Sequence, residues 1–146
     1  MTDGTWPTVL QNLLRRQERS LLQFIHEAYP WTRPGEEKLV QELKQLIQEE
    51  QEAAIKLANY LRRRRMLPYV GPFPMSYANL LFVSLDYLLP QLVEHERQEL
   101  AQIGRDLHAV HDAEARHQIQ EILDLKQRHL KKLEELAATV AKPAHA

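Results

Sequence analysis

The chain has 146 residues, 19 basic and 20 acidic side chains, a formal charge of −1, and 44% hydrophobic residues. That length and composition predict one globular domain over residues 1–146, and the near-zero charge gives no general footprint for nucleic acid or an anionic membrane. With no cysteine, disulfides, thiolate metal sites and cysteine catalysis are excluded. Twenty carboxylates and seven histidines remain as candidate metal ligands.

The first residues lack a basic stretch followed by an apolar one, so a secretory leader is not expected. No run approaches the roughly 18 uncharged apolar residues of a membrane span. A soluble, cytoplasmic protein is the expectation.

Four amphipathic segments follow in order. The first, 7–29, repeats Leu10, Leu13, Leu14, Leu21, Phe24, Ile25 and Ala28 at three- and four-residue spacing. Thr5 is its expected N-cap, and Pro30 to Gly35 break it. The second, 36–66, carries Leu39, Leu43, Leu46, Ile47, Ala54, Leu57 and Leu61. Its acidic start and its end at Arg62 to Arg65 suit the helix dipole. A proline-stiffened stretch from Leu67 to Met75 comes next.

The third segment, 76–111, is expected to start at Ser76 and to kink or divide near Pro90, where a backbone donor is missing. The fourth, 113–140, follows Asp112 as N-cap and carries Ile119, Ile122, Leu130, Leu133 and Leu136. Residues 141–146 read as a frayed tail. Nothing has the alternation or turn chemistry of a sheet, so an all-α four-helix bundle is predicted. A coiled-coil hairpin is the alternative, opposed by the two proline-rich breaks.

Topology turns on reach. A 30-residue helix is about 45 Å long, whereas residues 67–75 extend to about 30 Å. The link alone cannot carry the chain back along the bundle unless the stretch before Pro90 joins it. Otherwise the order is up-down-up-down.

Several polar residues fall on the apolar stripes. Glu50 lies between Ile47 and Ala54, and Lys126 between Leu123 and Leu130. Gln17 and Glu18 lie between Leu14 and Leu21. His95 and Glu99 continue the line of Leu88 and Leu92, Glu96 lies beside them, and His129 sits at a stripe edge. A charge facing inward needs a partner or a metal. Such residues from four helices can hold one or two ions, or can form salt bridges and face solvent.

The stretches Leu13-Leu14-Arg15-Arg16-Gln17, Glu49-Glu50-Gln51-Glu52-Ala53 and His129-Leu130-Lys131-Lys132-Leu133-Glu134 resemble the ferritin-like superfamily, in its bacterioferritin and rubrerythrin branches. The resemblance spans roughly Leu10 to Val140. It implies a left-handed bundle with one crossover between helices two and three. In active members it also implies a di-iron site, with one Glu each from helices one and three and a Glu-x-x-His pair each from helices two and four.

Carried over residue by residue, the helix-one ligand falls on Gln17, or on Glu18 after a one-residue shift. Glu50 matches, with Ala53 where histidine belongs. Glu94, His95 and Glu96 all lie near the helix-three position. His129 matches, with Lys126 in place of glutamate. The implied set is therefore incomplete. It gives two readings. One is a non-catalytic structural or interaction protein without a cofactor, with Glu50, Lys126 and Gln17 in a polar core and a second copy or another protein as partner. The other is a metal-binding or redox protein holding iron, manganese or zinc on some of Glu18, Glu50, His95, Glu96, Glu99 and His129. In the first, Lys126 takes the place of the metal charge and pairs with Glu50, unless it snorkels to solvent.

Three further features stand apart. His108, His111 and His117 could bind zinc or nickel, or be exposed residues near a helix end. Arg62 to Arg65 could meet phosphate or cap their helix. Trp31, Tyr69, Phe73 and Tyr77 could line a pocket or pin loops to the bundle. No phosphate loop, nucleophile elbow or His-Glu-x-x-His helix is present.

Overall fold

A computed structural model describes residues 5–28 and 30–141. It is all-helical among them, with five α-helices and one isolated bridge, between Trp31 and Ser84. The helices are α1 (Trp6–Glu18), α2 (Leu21–Ala28), α3 (Glu37–Arg63), α4 (Leu85–Ala109) and α5 (Ala113–Ala141).

The first expected helix is thus two. The cause is local and legible. Ser20-Leu21-Leu22-Gln23 has the Ser-x-x-Gln spacing of a helix start, and Ser20 Oγ accepts the Gln23 backbone N–H at 3.2 Å. A new helix begins where the old one would have continued. Thr5 stands at the N-cap position of α1, but its side chain makes no cap bond.

α3 ends in a Schellman arrangement. Arg65 takes φ +63, the Arg65 N–H reaches the Arg62 carbonyl, and the Met66 N–H reaches the Leu61 carbonyl, both at 2.9 Å. Met66 then packs on the core beside Leu61. This stops the helix at Arg63, short of the expected 66.

The third helix departs most from expectation. Met75–Leu80 forms a 3-10 helix, and α4 starts only at Leu85, after Ser84. Two bonds fix that start: Trp31 N–H to the Val83 carbonyl (3.2 Å) and Leu85 N–H to the Trp31 carbonyl (2.8 Å). Pro90 lies inside α4 on its exposed side and does not divide it. It sits early in the helix, so the bond it removes is the one to the Asp86 carbonyl in the first turn. α5 starts at Asp112 as expected, with Asp112 Oδ1 accepting the Ala115 N–H at 3.0 Å. Tyr29 and the 142–146 tail lie outside the described residues, and with them the ends predicted there.

The core has two apolar halves. One holds Leu21, Leu22 and Ile25 of α2, Leu39 to Ile47 of α3, Leu85 to Val93 of α4, and Leu133 and Leu136 of α5. The other holds Leu10, Leu13 and Leu14 of α1, Ala54 to Leu61 of α3, Ile103 of α4, and Ala115, Ile119 and Ile122 of α5. Each fully buried leucine among them stabilises by about 1.5–3 kcal/mol.

The two half-cores also give the run of the chain. α3 and α4 both pass from the first half to the second, while α1 with α2, and α5, pass from the second to the first. The 64–84 connection therefore leads back along the helices: Met66 and Val70 pack on the second half, and Tyr77, Leu80 and Val83 on the first. Phe24, Phe73 and Tyr77 meet edge-on or tilted, with ring centroids 5.4–6.3 Å apart, and pin it down. Among the described residues no helix is long and apolar enough to cross a membrane.

Candidate functional site: a charged layer between two apolar half-cores

Between the half-cores every helix changes from apolar to polar on its inner face. Gln17, Ser20, Gln23, Glu50, Glu96, Glu99, Lys126 and His129 are all buried there. Lys126 and Glu50 are fully buried.

Lys126 is the centre of the layer. Its Nζ donates to Glu50 Oε2 and, at 3.0 Å, to Glu96 Oε1. It does not snorkel. The interior between the helices shuts this ammonium off from solvent, so the two carboxylates must offset the cost of its desolvation. Burial works against the Lys126 charge, but Glu50 and Glu96 outweigh it and hold its pKa above the ordinary lysine value. Lys126 thus stays an ammonium at neutral pH.

The other oxygen of Glu50 is also occupied. Oε1 accepts from Ser20 Oγ at 2.6 Å and from Gln23 Nε2 at 2.8 Å. Gln23 Nε2 also donates to the Ile47 carbonyl (3.1 Å), and Gln23 Oε1 accepts from Gln51 (2.9 Å). The break between α1 and α2 is what aims Ser20 and Gln23 at Glu50. In a continuous helix the register at residues 20–23 would differ.

Glu96 is less well provided for. Its Oε2 is buried and has no hydrogen-bond partner among the described residues. Burial pushes its pKa up, Lys126 pulls it down, and the Glu50 charge pushes it up again; the net direction is upward.

Glu99 belongs to a second group in the same layer. Arg16 Nε donates to both of its oxygens at 3.0 Å, Gln17 Nε2 donates to Oε2 at 2.9 Å, and Arg16 Nη2 reaches Asp106 Oδ2 at 2.6 Å. Burial raises the Glu99 pKa against the pull of Arg16. Gln17 therefore serves Glu99 and not Glu50.

The two histidines are engaged elsewhere. His129 Nε2 bonds Glu49 Oε1 at 2.9 Å, and its buried Nδ1 has no partner among the described residues. Donation from Nε2 to the carboxylate leaves Nδ1 as a bare acceptor. His95 Nε2 bonds the Tyr77 hydroxyl at 2.7 Å. Burial, then the Lys126 charge, lowers both histidine pKa values and favours neutral rings. Glu18 is only partly buried, and its backbone carbonyl accepts from Arg19 Nη1 at 3.1 Å.

The six candidate ligands thus divide. Glu50 and Glu96 share Lys126, Glu99 is held by Arg16 and Gln17, His129 and His95 face separate partners, and Glu18 is apart. Among the described residues no group of three or more His, Asp or Glu is gathered as a metal site would need. The donor set does not fit a di-iron centre, because an ammonium occupies the place between its carboxylates and Ala53 offers no donor. The alternative histidine cluster is likewise dispersed: His108, His111 and His117 are exposed, and His117 pairs with Glu121 at 3.1 Å. In the arginine run, Arg64 is spoken for by Asp112 (3.1 Å) and Glu114 (3.3 Å) and stacks on Trp6.

Sequence reasoning missed Ser20, Gln23, Arg16, Asp106 and Glu49. The Ser-x-x-Gln spacing signals the first two. The others meet their partners only through tertiary packing. In comparison with known proteins, no family model, no characterised protein and no solved structure matches this chain.

Proposed function

We propose that the protein is a non-catalytic, ferritin-like four-helix bundle, left-handed with one crossover between α3 and α4, whose metal layer has become a structural charge layer. Its role in this reading is interaction, with a second copy or another protein, in the cytoplasm and without nucleic acid. The observation that carries it is the buried Lys126, bonded to Glu50 and Glu96 at the level where a ferritin-like metal site would gather its ligands. The parallel run of α3 and α4 supports the crossover. Trp31 and Phe82 beside the bridge to α4 are 70% and 85% exposed, which supports a partner surface.

Lys126 performs in this account what a cation does in a metalloprotein: it neutralises facing carboxylates and ties three helices together. It offers no open coordination position and no redox couple. Metal analysis of protein purified without chelator tests this. The expected result is iron, manganese and zinc far below one per chain. Near-stoichiometric metal that is lost on Glu50→Ala would overturn it. Gel filtration with light scattering tests self-association.

A further inference from the structure

A cleft of about 510 Å³ opens between α1 and the 69–77 part of the connection, at the Arg16–Glu99 edge of the charged layer and away from Lys126. One wall carries Arg15, Arg16 and Arg19, the other Val70, Phe73 and Tyr77, and His95 and Glu99 reach it from α4. Its size is that of a small-molecule site.

The charges in the cleft are unequal. Glu99 is its one carboxylate, and Arg16 already holds both Glu99 oxygens as well as Asp106. Arg15 and Arg19 meet no carboxylate among the described residues. Among the described residues the Arg15 guanidinium donates to Asn12 alone, at 3.4 Å. Arg19 donates Nε to the Gly71 carbonyl at 2.7 Å and Nη1 to the Glu18 carbonyl at 3.1 Å. Those bonds, and the Phe73 ring 5.0 Å beneath it, fix the guanidinium in place. They cancel none of its charge and leave Nη2 without a partner among the described residues. A fixed guanidinium with a spare edge beside a second, exposed one is suited to a carboxylate.

The remaining surface is uncharged. Burial pushes the Tyr77 pKa up to about 12, and the neutral His95 ring bonds its hydroxyl. Phe73, Tyr77 and Val70 offer flat apolar area to the body of a ligand.

We propose that this cleft binds a small aromatic carboxylate, with its carboxylate on Arg15 and Arg19 and its ring against Phe73 and Tyr77. The proposal stands apart from the role of Lys126. Calorimetric titration of the whole protein with phenylacetate tests it, with benzylamine and inorganic phosphate as comparisons. Phenylacetate should bind with a dissociation constant tighter than about 1 mM, and benzylamine should not bind. Arg15→Gln should weaken binding about tenfold, and Arg15→Gln with Arg19→Gln should abolish it with the helical circular-dichroism spectrum unchanged. If Arg19→Gln loosens the connection, Arg15→Gln alone decides, because that side chain is exposed. Phosphate binding as tightly as phenylacetate, benzylamine binding equally, or affinity unaffected by Arg15→Gln would each overturn the proposal, as would no phenylacetate binding at all.

Discussion

The Ser20 hydroxyl donates to Glu50 Oε1 at 2.6 Å while accepting the Gln23 backbone N–H at 3.2 Å. One oxygen atom therefore starts α2 and satisfies a fully buried carboxylate on α3. Local chain chemistry and the charged layer meet at that atom.

Ser20→Ala removes both bonds. The cap and the lost donor to a buried carboxylate together should cost about 2–3 kcal/mol, read by urea unfolding. In a Glu50→Leu background, which offers the Ser20 hydroxyl no acceptor, the cost should fall to the cap alone, about 1 kcal/mol. Equal costs in the two backgrounds would separate the cap from the layer.

The other sequence-legible cap gives a second prediction. Asp112 Oδ1 receives the Ala115 N–H, and its carboxylate grips Arg64 at 3.1 Å. Asp112→Ala should destabilise by about 1–2 kcal/mol, and Asp112→Asn, which keeps a capping oxygen, by less. Hydrogen bonding from Arg64, then from the Ala115 amide, holds the Asp112 pKa below the usual aspartate value. The ionic part of its contribution is therefore present above the unfolded value of about 3.9 and is lost as pH falls through the folded one.

The fold was legible in the sequence wherever leucine spacing alone decides the outcome. α3 and α5 run much as their stripes predict, and Glu50 and Lys126 stood out because apolar residues flank both on the stripe. Register failed where the chain changes conformation. The left-handed residues Arg65 and Phe82, at φ +63 each, and the 3-10 turn at Met75–Leu80 carry no periodic signal, so α4 could not be phased from its sequence. That left Glu94, His95 and Glu96 equivalent on paper as the helix-three position, although Glu96 is buried, His95 partly buried and Glu94 exposed. The grip of Arg16 on Glu99 and Asp106 joins residues more than 80 positions apart. No local pattern encodes such a contact.

Acid should weaken the protein through its histidines. The folded pKa values of His95 and His129 are depressed by burial and by Lys126. Their contribution is present above the unfolded value of about 6.5 and is lost as pH falls toward the folded values, because only the unfolded chain takes up the proton. Glu96 and Glu99, whose pKa values are raised, act in the opposite sense. Their contribution grows as pH falls through the folded values toward about 4.3, so the loss should level off at lower pH. Unfolding midpoints between about pH 7 and 5.5 check this, and His129→Gln should flatten the decline. An unchanged slope in that variant would place the titration elsewhere.

The account rests on Lys126 as the cation of the core. Lys126→Met keeps the length of the side chain and removes its charge, leaving Glu50 and Glu96 buried together. Chemical denaturation of this variant, alone and with Glu50→Gln and Glu96→Gln, is the most direct measurement. The single variant should lose about 3–5 kcal/mol, and the triple variant should recover most of that loss. A Lys126→Met protein as stable as the wild type would contradict the central claim.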